Sequence, residues 1–218
     1  MVQIMVDFSK SNWQQEFDEK QLIQILWGFE DNLTPEQIFL YADPKFNWNQ
    51  MKQIRLGLEK DLTKDQVMMY ADSKFNHDQM HEIRVSFEDG LTMEQVAVYA
   101  DSKFEWNQMQ QIRLGLENGL AIEQIAVYAD PKFNWDQMLE IRHGFRTGLT
   151  MKQISVYADP KFDCTMMQEI RLVLEGKLSS VQKTQLSEEK PLSINDRLNA
   201  LEAGKKLASA TAKDDIIK

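Results

Sequence analysis

The chain has 218 residues, 43% of them hydrophobic and 27% charged, with a formal net charge of −9; such a composition lies outside the disordered and fibrous classes and suffices for one sizeable core. No run approaches the roughly 18 apolar residues that a spanning helix needs, and the opening MVQIMVDFSK lacks the charged-then-apolar order of a secretory signal, so a cytoplasmic protein is expected. The single Cys164 excludes an internal disulfide and a zinc-knuckle spacing, and the acidity falls on residues 1–178, with 18 Lys/Arg against 28 Asp/Glu, which argues against non-specific nucleic-acid binding.

Residues 1–16 read as an N-terminal cap. From Phe17 the sequence becomes periodic: Tyr-Ala-Asp recurs at 41, 70, 99, 128 and 157, always 29 residues apart, which is the signature of a solenoid. Units beginning at Phe17, Phe46, Phe75, Phe104, Phe133 and Phe162 predict an all-α solenoid of six two-helix repeats over residues 17–178. The first and last depart most from the pattern, as terminal repeats do when one face has no neighbour.

Two helix starts are written into each unit. Asn47-Trp48-Asn49-Gln50 and Thr63-Lys64-Asp65-Gln66 both place a capping residue three positions before a glutamine. Between them stands Gly90, Gly119 or Gly148, with Asn32 or Asp61 in the earlier units, where a left-handed C-terminal cap belongs. A first helix of about 13 residues and a second of about nine are expected between these signals. The stripe Trp48, Met51, Ile54, Leu58, repeated as Trp106, Met109, Ile112, Leu116, has the spacing of one buried face. The second helix is apolar nearly all round, which predicts that it is the inner, doubly covered one. Six units packed about 8 to 10 Å apart would extend for roughly 50 to 60 Å.

Five units place arginine after the stripe isoleucine: Arg55, Arg84, Arg113, Arg142 and Arg171. A cation beside a buried stripe needs a partner, and the matching periodic acids are Asp43, Asp72, Asp101, Asp130 and Asp159, so an Arg-Asp ladder between units is expected, with Glu59, Glu88 and Glu117 as further partners. His77 and His81 are four apart, a spacing that can hold a metal, but His77 takes the slot of Trp48, Trp106 and Trp135, which favours packing or capping over ligation. No nucleophile with its base and no phosphate-cradling glycine loop is present, so neither catalytic residue, metal nor cofactor is expected.

Variation between units is where a partner could be read. Met93, Ile122 and Met151 put apolar groups after the second-helix cap, and Phe39, Leu40, Met68 and Met69 are bulky where later units carry Ala97 or Ser155. These seven residues are the candidate partner-binding set, filled with adaptable methionines. After Leu178 the chain reads as a polar linker over 179–192, then a C-terminal helix and mobile end over 193–218, through which the protein could cap its last unit or form a homo-oligomer.

The phrases Tyr128-Ala129-Asp130-Pro131-Lys132-Phe133-Asn134-Trp135-Asp136-Gln137-Met138, Glu140-Ile141-Arg142 and Gly115-Leu116-Glu117-Asn118-Gly119-Leu120 resemble repeats of uncharacterised proteins from gut clostridia and their mobile elements, over residues 17 to about 178. That resemblance implies little about activity, though a mobile-element setting favours interference with host defence. Two functions are weighed. One is a non-enzymatic intracellular scaffold or adaptor that binds another protein, for which the acidity suggests a basic surface, without nucleic acid or membrane. The other is an acidic inhibitor of a nucleic-acid-binding defence enzyme. Pure mimicry of DNA is disfavoured, because −10 over roughly 55 Å is about one charge per 5 to 6 Å, against one per about 1.7 Å in duplex DNA.

Overall fold

A computed structural model describes residues 13–177, and the described residues are helical with no strand. The proposed linker, the C-terminal helix and residues 1–12 of the N-terminal cap lie outside them. Two compact units divide the chain, the first ending at Glu117 and the second beginning at Asn118.

In the first unit a short α1 (Trp13–Glu16) leads into alternating long and short helices: α2 (Glu19–Glu30), α3 (Pro35–Ile38), α4 (Trp48–Glu59), α5 (Lys64–Met68), α6 (His77–Glu88), α7 (Met93–Ala97) and α8 (Trp106–Glu117). In the second unit α9 (Ile122–Ile125), α10 (Trp135–Arg146), α11 (Met151–Ile154) and α12 (Cys164–Leu174) continue the alternation. Long helices begin at 19, 48, 77, 106, 135 and 164, each 29 residues after the last. Within each unit, successive long helices pack side by side, and each of α3, α5, α7 and α11 lies on the long helix before it.

The starts are capping boxes. Asn47 accepts from the backbone N–H of Gln50 at 3.1 Å while Gln50 Oε1 accepts from that of Asn47 at 2.8 Å, and the same reciprocal pair forms at Asp18/Gln21, Asn76/Gln79 and Asn134/Gln137. Gln50 Nε2 also donates to the Phe75 carbonyl at 2.7 Å, in the loop that precedes the next long helix, as Gln21 Nε2 does to Phe46 and Gln79 Nε2 to Phe104, both at 2.6 Å. One amide therefore starts a helix and joins it to the following repeat.

The ends are left-handed caps, as the sequence predicts. Gly90, Gly119 and Gly148 have φ of 86°, 79° and 88°, and Asn32 and Asp61 hold 63° and 58° in the same place. The backbone N–H of Leu62 then reaches back to the Gly57 carbonyl at 3.0 Å, closing a Schellman turn.

The short helices differ from expectation in length and position. They run four or five residues rather than nine. Their winding tightens, with Tyr41 N–H bonded to the Ile38 carbonyl at 3.1 Å, and that closing turn swings the tyrosine under the preceding long helix. Nor are they the inner helices: α7 buries Val96 but exposes Met93, Glu94 and Ala97, whereas α4 buries Met51, Ile54 and Leu58 between its neighbours. One covered residue per short helix suffices because a fully buried tyrosine follows just beyond it.

Tyr41, Tyr70 and Tyr157 are fully buried, and their hydroxyls donate to the carbonyls of Gln24, Gln53 and Glu140 at 3.2, 3.5 and 3.3 Å. Each hydroxyl occupies the space that a Cβ on Gly28, Gly57 or Gly144 would need. The third repeat has Ser86 there, and its hydroxyl bonds both the Glu82 carbonyl and Tyr99 Oη. Gly57→Ala should therefore lower stability by about 1 to 2 kcal/mol, overpacking outweighing alanine's better helix propensity. Gly57→Ser should lose less, because its hydroxyl can share a hydrogen bond with Tyr70. Urea unfolding of the two variants compares them, and equal losses would contradict the role given to the tyrosine hydroxyl. Ala121 stands at the N-cap of α9 in the extended conformation of Thr34 and Thr63 but makes no side-chain capping bond. Ala121→Thr should add about 1 kcal/mol, read as a rise in the unfolding midpoint.

Candidate binding surface

The arginine row is buried, and its partners are not the ones the period suggested. Arg55, Arg84, Arg142 and Arg171 are buried and Arg113 is nearly so. Each resolved pairing joins an arginine to the preceding long helix, at a residue 31 positions earlier, and to a glutamate one turn ahead. Arg55 Nε donates to Gln24 at 3.2 Å and Arg84 Nε to Gln53 at 3.0 Å; Arg113 Nε donates to Glu82 at 2.9 Å and Arg171 Nε to Glu140 at 2.8 Å. On its own helix, Arg55 meets Glu59, Arg84 meets Glu88, and Arg113 and Arg171 reach Glu117 and Glu175 at 2.6 and 2.8 Å. Asp31 adds a third contact to Arg55 at 3.0 Å.

The expected Arg-Asp ladder is thus an Arg-Gln/Glu ladder. Asp43, Asp72, Asp101, Asp130 and Asp159 instead accept the backbone N–H two residues on, from Lys45, Lys74, Lys103, Lys132 and Lys161, all at 3.0 Å. The aspartate recurs because it builds an Asx turn in the loop before each long helix, and Lys45, Lys74, Lys103 and Lys132 also form ion pairs with their aspartates. Its period matches the arginine's only because both belong to the repeat.

Ionisation follows the packing. Burial pushes Glu59 up, and Asp31 beside it adds to the rise, since two carboxylates share one guanidinium. Burial also opposes the charge on Glu175, but the Lys177 ammonium beside it and hydrogen bonds from Arg171 and Thr147 outweigh burial and hold the carboxyl at about 2. Lys177 Nζ lies 2.6 Å from Glu175 Oε2, an ion pair without hydrogen-bond geometry. Burial lowers His81, helped by Arg84, whose Nη2 is 3.0 Å from His81 Nδ1. That nitrogen must accept, so the imidazole is neutral and its Nδ1 is occupied. His77 Nε2 lies 3.3 Å from its neighbour Asp78, and no group of three His, Cys, Asp or Glu suited to a metal forms among the described residues.

The candidate partner-binding residues divide by exposure. Phe39, Met68, Met93 and Met151 are 64%, 52%, 43% and 45% exposed, while Leu40, Met69 and Ile122 are half-buried. In the first unit Phe39, Met68 and Met93 lie on the outer side of α3, α5 and α7, and Trp13 meets Phe39 edge to face at 6.3 Å. Met151 stands on α11 of the second unit.

Two exposed sets were not anticipated. Trp106 and Trp135, expected in the core, are 44% and 41% exposed, and Trp48 is half-buried with Lys20 Nζ 5.2 Å from its ring centroid. Each stands at the first position of its helix, and Asn47 and Asn134, the capping residues just before Trp48 and Trp135, were the available signal. Leu26 and Trp27 are also exposed, and Trp27 stacks under Arg55 at 5.2 Å. The ladder glutamines and glutamates were legible too, as a polar residue recurring two positions before each arginine's equivalent.

Glu82 is only 2% exposed, so its charge depends on Arg113. Arg113→Met should cost about 3 to 5 kcal/mol by stranding that carboxylate. Adding Glu82→Gln should recover much of that deficit, since the amide removes the buried charge. Glu82→Gln alone should change stability by less than about 1 kcal/mol, because Gln24 and Gln53 already serve at equivalent rungs. Thermal unfolding of the three variants tests the ladder, and a double variant no better than Arg113→Met would refute it.

Comparison with known proteins gives no match: neither a family model, nor a curated protein, nor a solved structure aligns with this chain.

Proposed function

We propose that the chain is a six-repeat α-solenoid that serves as a non-enzymatic, cytoplasmic protein-binding scaffold or adaptor. The observation that carries this reading is a division of labour between positions. The polar groups that recur in every repeat are spent internally, in caps, Asx turns and the arginine ladder, whereas Phe39, Met68, Met93 and Met151, which vary, present apolar surface on the short helices. Exposed large side chains at variable positions, with adaptable methionines among them, suit contact with another protein. Nothing in the ladder is arranged for catalysis, because each buried carboxylate is matched to an arginine. No helix among the described residues is long and apolar enough to cross a membrane.

A second reading, an acidic inhibitor of a nucleic-acid-binding defence enzyme, draws support from charge. Residues 13–117 hold 19 Asp/Glu against 10 Lys/Arg, while residues 118–177 hold 8 against 7, so the acidity is concentrated in the first unit. Binding of that kind weakens steeply with salt. The scaffold reading is tested by immobilising the protein, recovering partners from a lysate, and repeating the capture with Phe39→Ser/Met68→Ser and with Met93→Ser/Met151→Ser. Both pairs are exposed, so the unfolding midpoint should stay within about 2 °C of the parent. Retention of the specific partner should drop at least tenfold in one of the pairs. Retention untouched by both would remove the short-helix surface from the account.

A further inference from the structure

Resting on the scaffold reading, we infer that the outer surface of α3, α5 and α7 receives a basic amphipathic helix of a partner protein. Each short helix turns one branched side chain inward, Ile38, Val67 or Val96, and leaves the next residue, Phe39, Met68 or Ala97, exposed. Three positions before each exposed residue, on the same helix face, stands a carboxylate: Glu36, Asp65 and Glu94.

These three carboxylates differ from most others in the unit. Asp31, Glu59, Glu82, Glu88, Asp89 and Glu117 all pair with the arginine ladder, and the loop aspartates pair with lysines. Glu36, Asp65 and Glu94 make no salt bridge or side-chain hydrogen bond among the described residues. Lys64, at the first position of α5, is the one cation on the three short helices. Charges left unneutralised beside an exposed apolar row, in a unit with a surplus of nine acids, call for a cationic partner with an apolar face.

The repeat sets the geometry of that partner. Side-by-side helices are about 8 to 10 Å apart, so successive short helices advance by about 10 Å. Seven residues of α-helix rise about 10.5 Å. A partner helix lying across α3, α5 and α7 would therefore meet Phe39 and Met68 with apolar residues seven apart, and the carboxylate row with lysines or arginines at the same interval. Three rows span about 20 Å, or roughly 14 residues.

The experiment uses the full chain and a fluorescent 18-residue leucine/lysine peptide whose leucines fall on one helical face, read by anisotropy at physiological salt. Two control peptides accompany it: the same peptide with glutamate for lysine, and one with leucine and lysine alternating so that no apolar helix face forms. The leucine/lysine helix should bind, and each control at least tenfold more weakly. Phe39→Ser/Met68→Ser should weaken binding at least tenfold, and so should Glu36→Gln/Asp65→Asn/Glu94→Gln, which should also flatten its salt dependence. Glu16→Gln/Glu19→Gln/Glu30→Gln removes equal charge elsewhere in the unit and should change affinity less than twofold. An equal loss in that variant, or indifference to Phe39→Ser/Met68→Ser, would mean diffuse attraction and overturn the proposal. If no peptide binds while lysate capture still depends on Phe39 and Met68, the basic helix is wrong and the scaffold reading stands. If capture is also indifferent to them, both fail on this surface.

Discussion

Within each compact unit, α2, α4, α6 and α10 are held to the following repeat by the amide of a single glutamine. Gln50 accepts the N–H that starts its own helix and donates to the carbonyl of Phe75, 25 residues later, and Gln21, Gln79 and Gln137 do the same. A hydrogen bond of this sort is worth about 1 kcal/mol net, yet leaving the buried carbonyl unpaired would cost about 1 to 3 kcal/mol. Local helix initiation and the joining of neighbours are thereby one event.

The arginine ladder is a second coupling, and its rungs are not equivalent. Gln24 and Gln53 accept from Arg55 and Arg84 as neutral amides, whereas Glu82 and Glu140 do so as carboxylates. A neutral rung avoids the desolvation of a second ion, and a charged rung gains more from its partner but fails harder if that partner is lost. Since both occur at the same place in the repeat, the recurring requirement is an acceptor for the arginine Nε rather than a negative charge. Net stabilisation per rung is modest, since the desolvation of the ions offsets much of the attraction between them.

With so many polar groups committed internally, the exposed large apolar side chains stand out. In the first unit they are Phe39, Met68 and Met93 on the short helices, near unpaired carboxylates, together with Leu26, Trp27 and Trp106 on the long ones. The short helices can vary there because one covered residue and a following tyrosine anchor each of them. In the second unit Met151 and Trp135 occupy the corresponding positions, in a nearly neutral charge setting.

The sequence by itself determined the 29-residue period, the helix starts and the left-handed ends, because capping boxes and positive-φ residues act within a few residues of chain. It also showed that arginines beside a buried stripe need partners, and it singled out the apolar positions that vary between units. Only the tertiary structure decided which acceptors those arginines meet. Any group with the repeat's period is an equal candidate on paper, and Asp43 lost to Gln24 because its carboxylate is taken by the loop it caps. The same holds for Trp106, whose helical spacing matches the core stripe but whose place in the first turn leaves it in solvent. It holds too for the short helices, which lie outside although their composition suggested otherwise: one tyrosine reaching under a glycine buries enough to anchor a single turn.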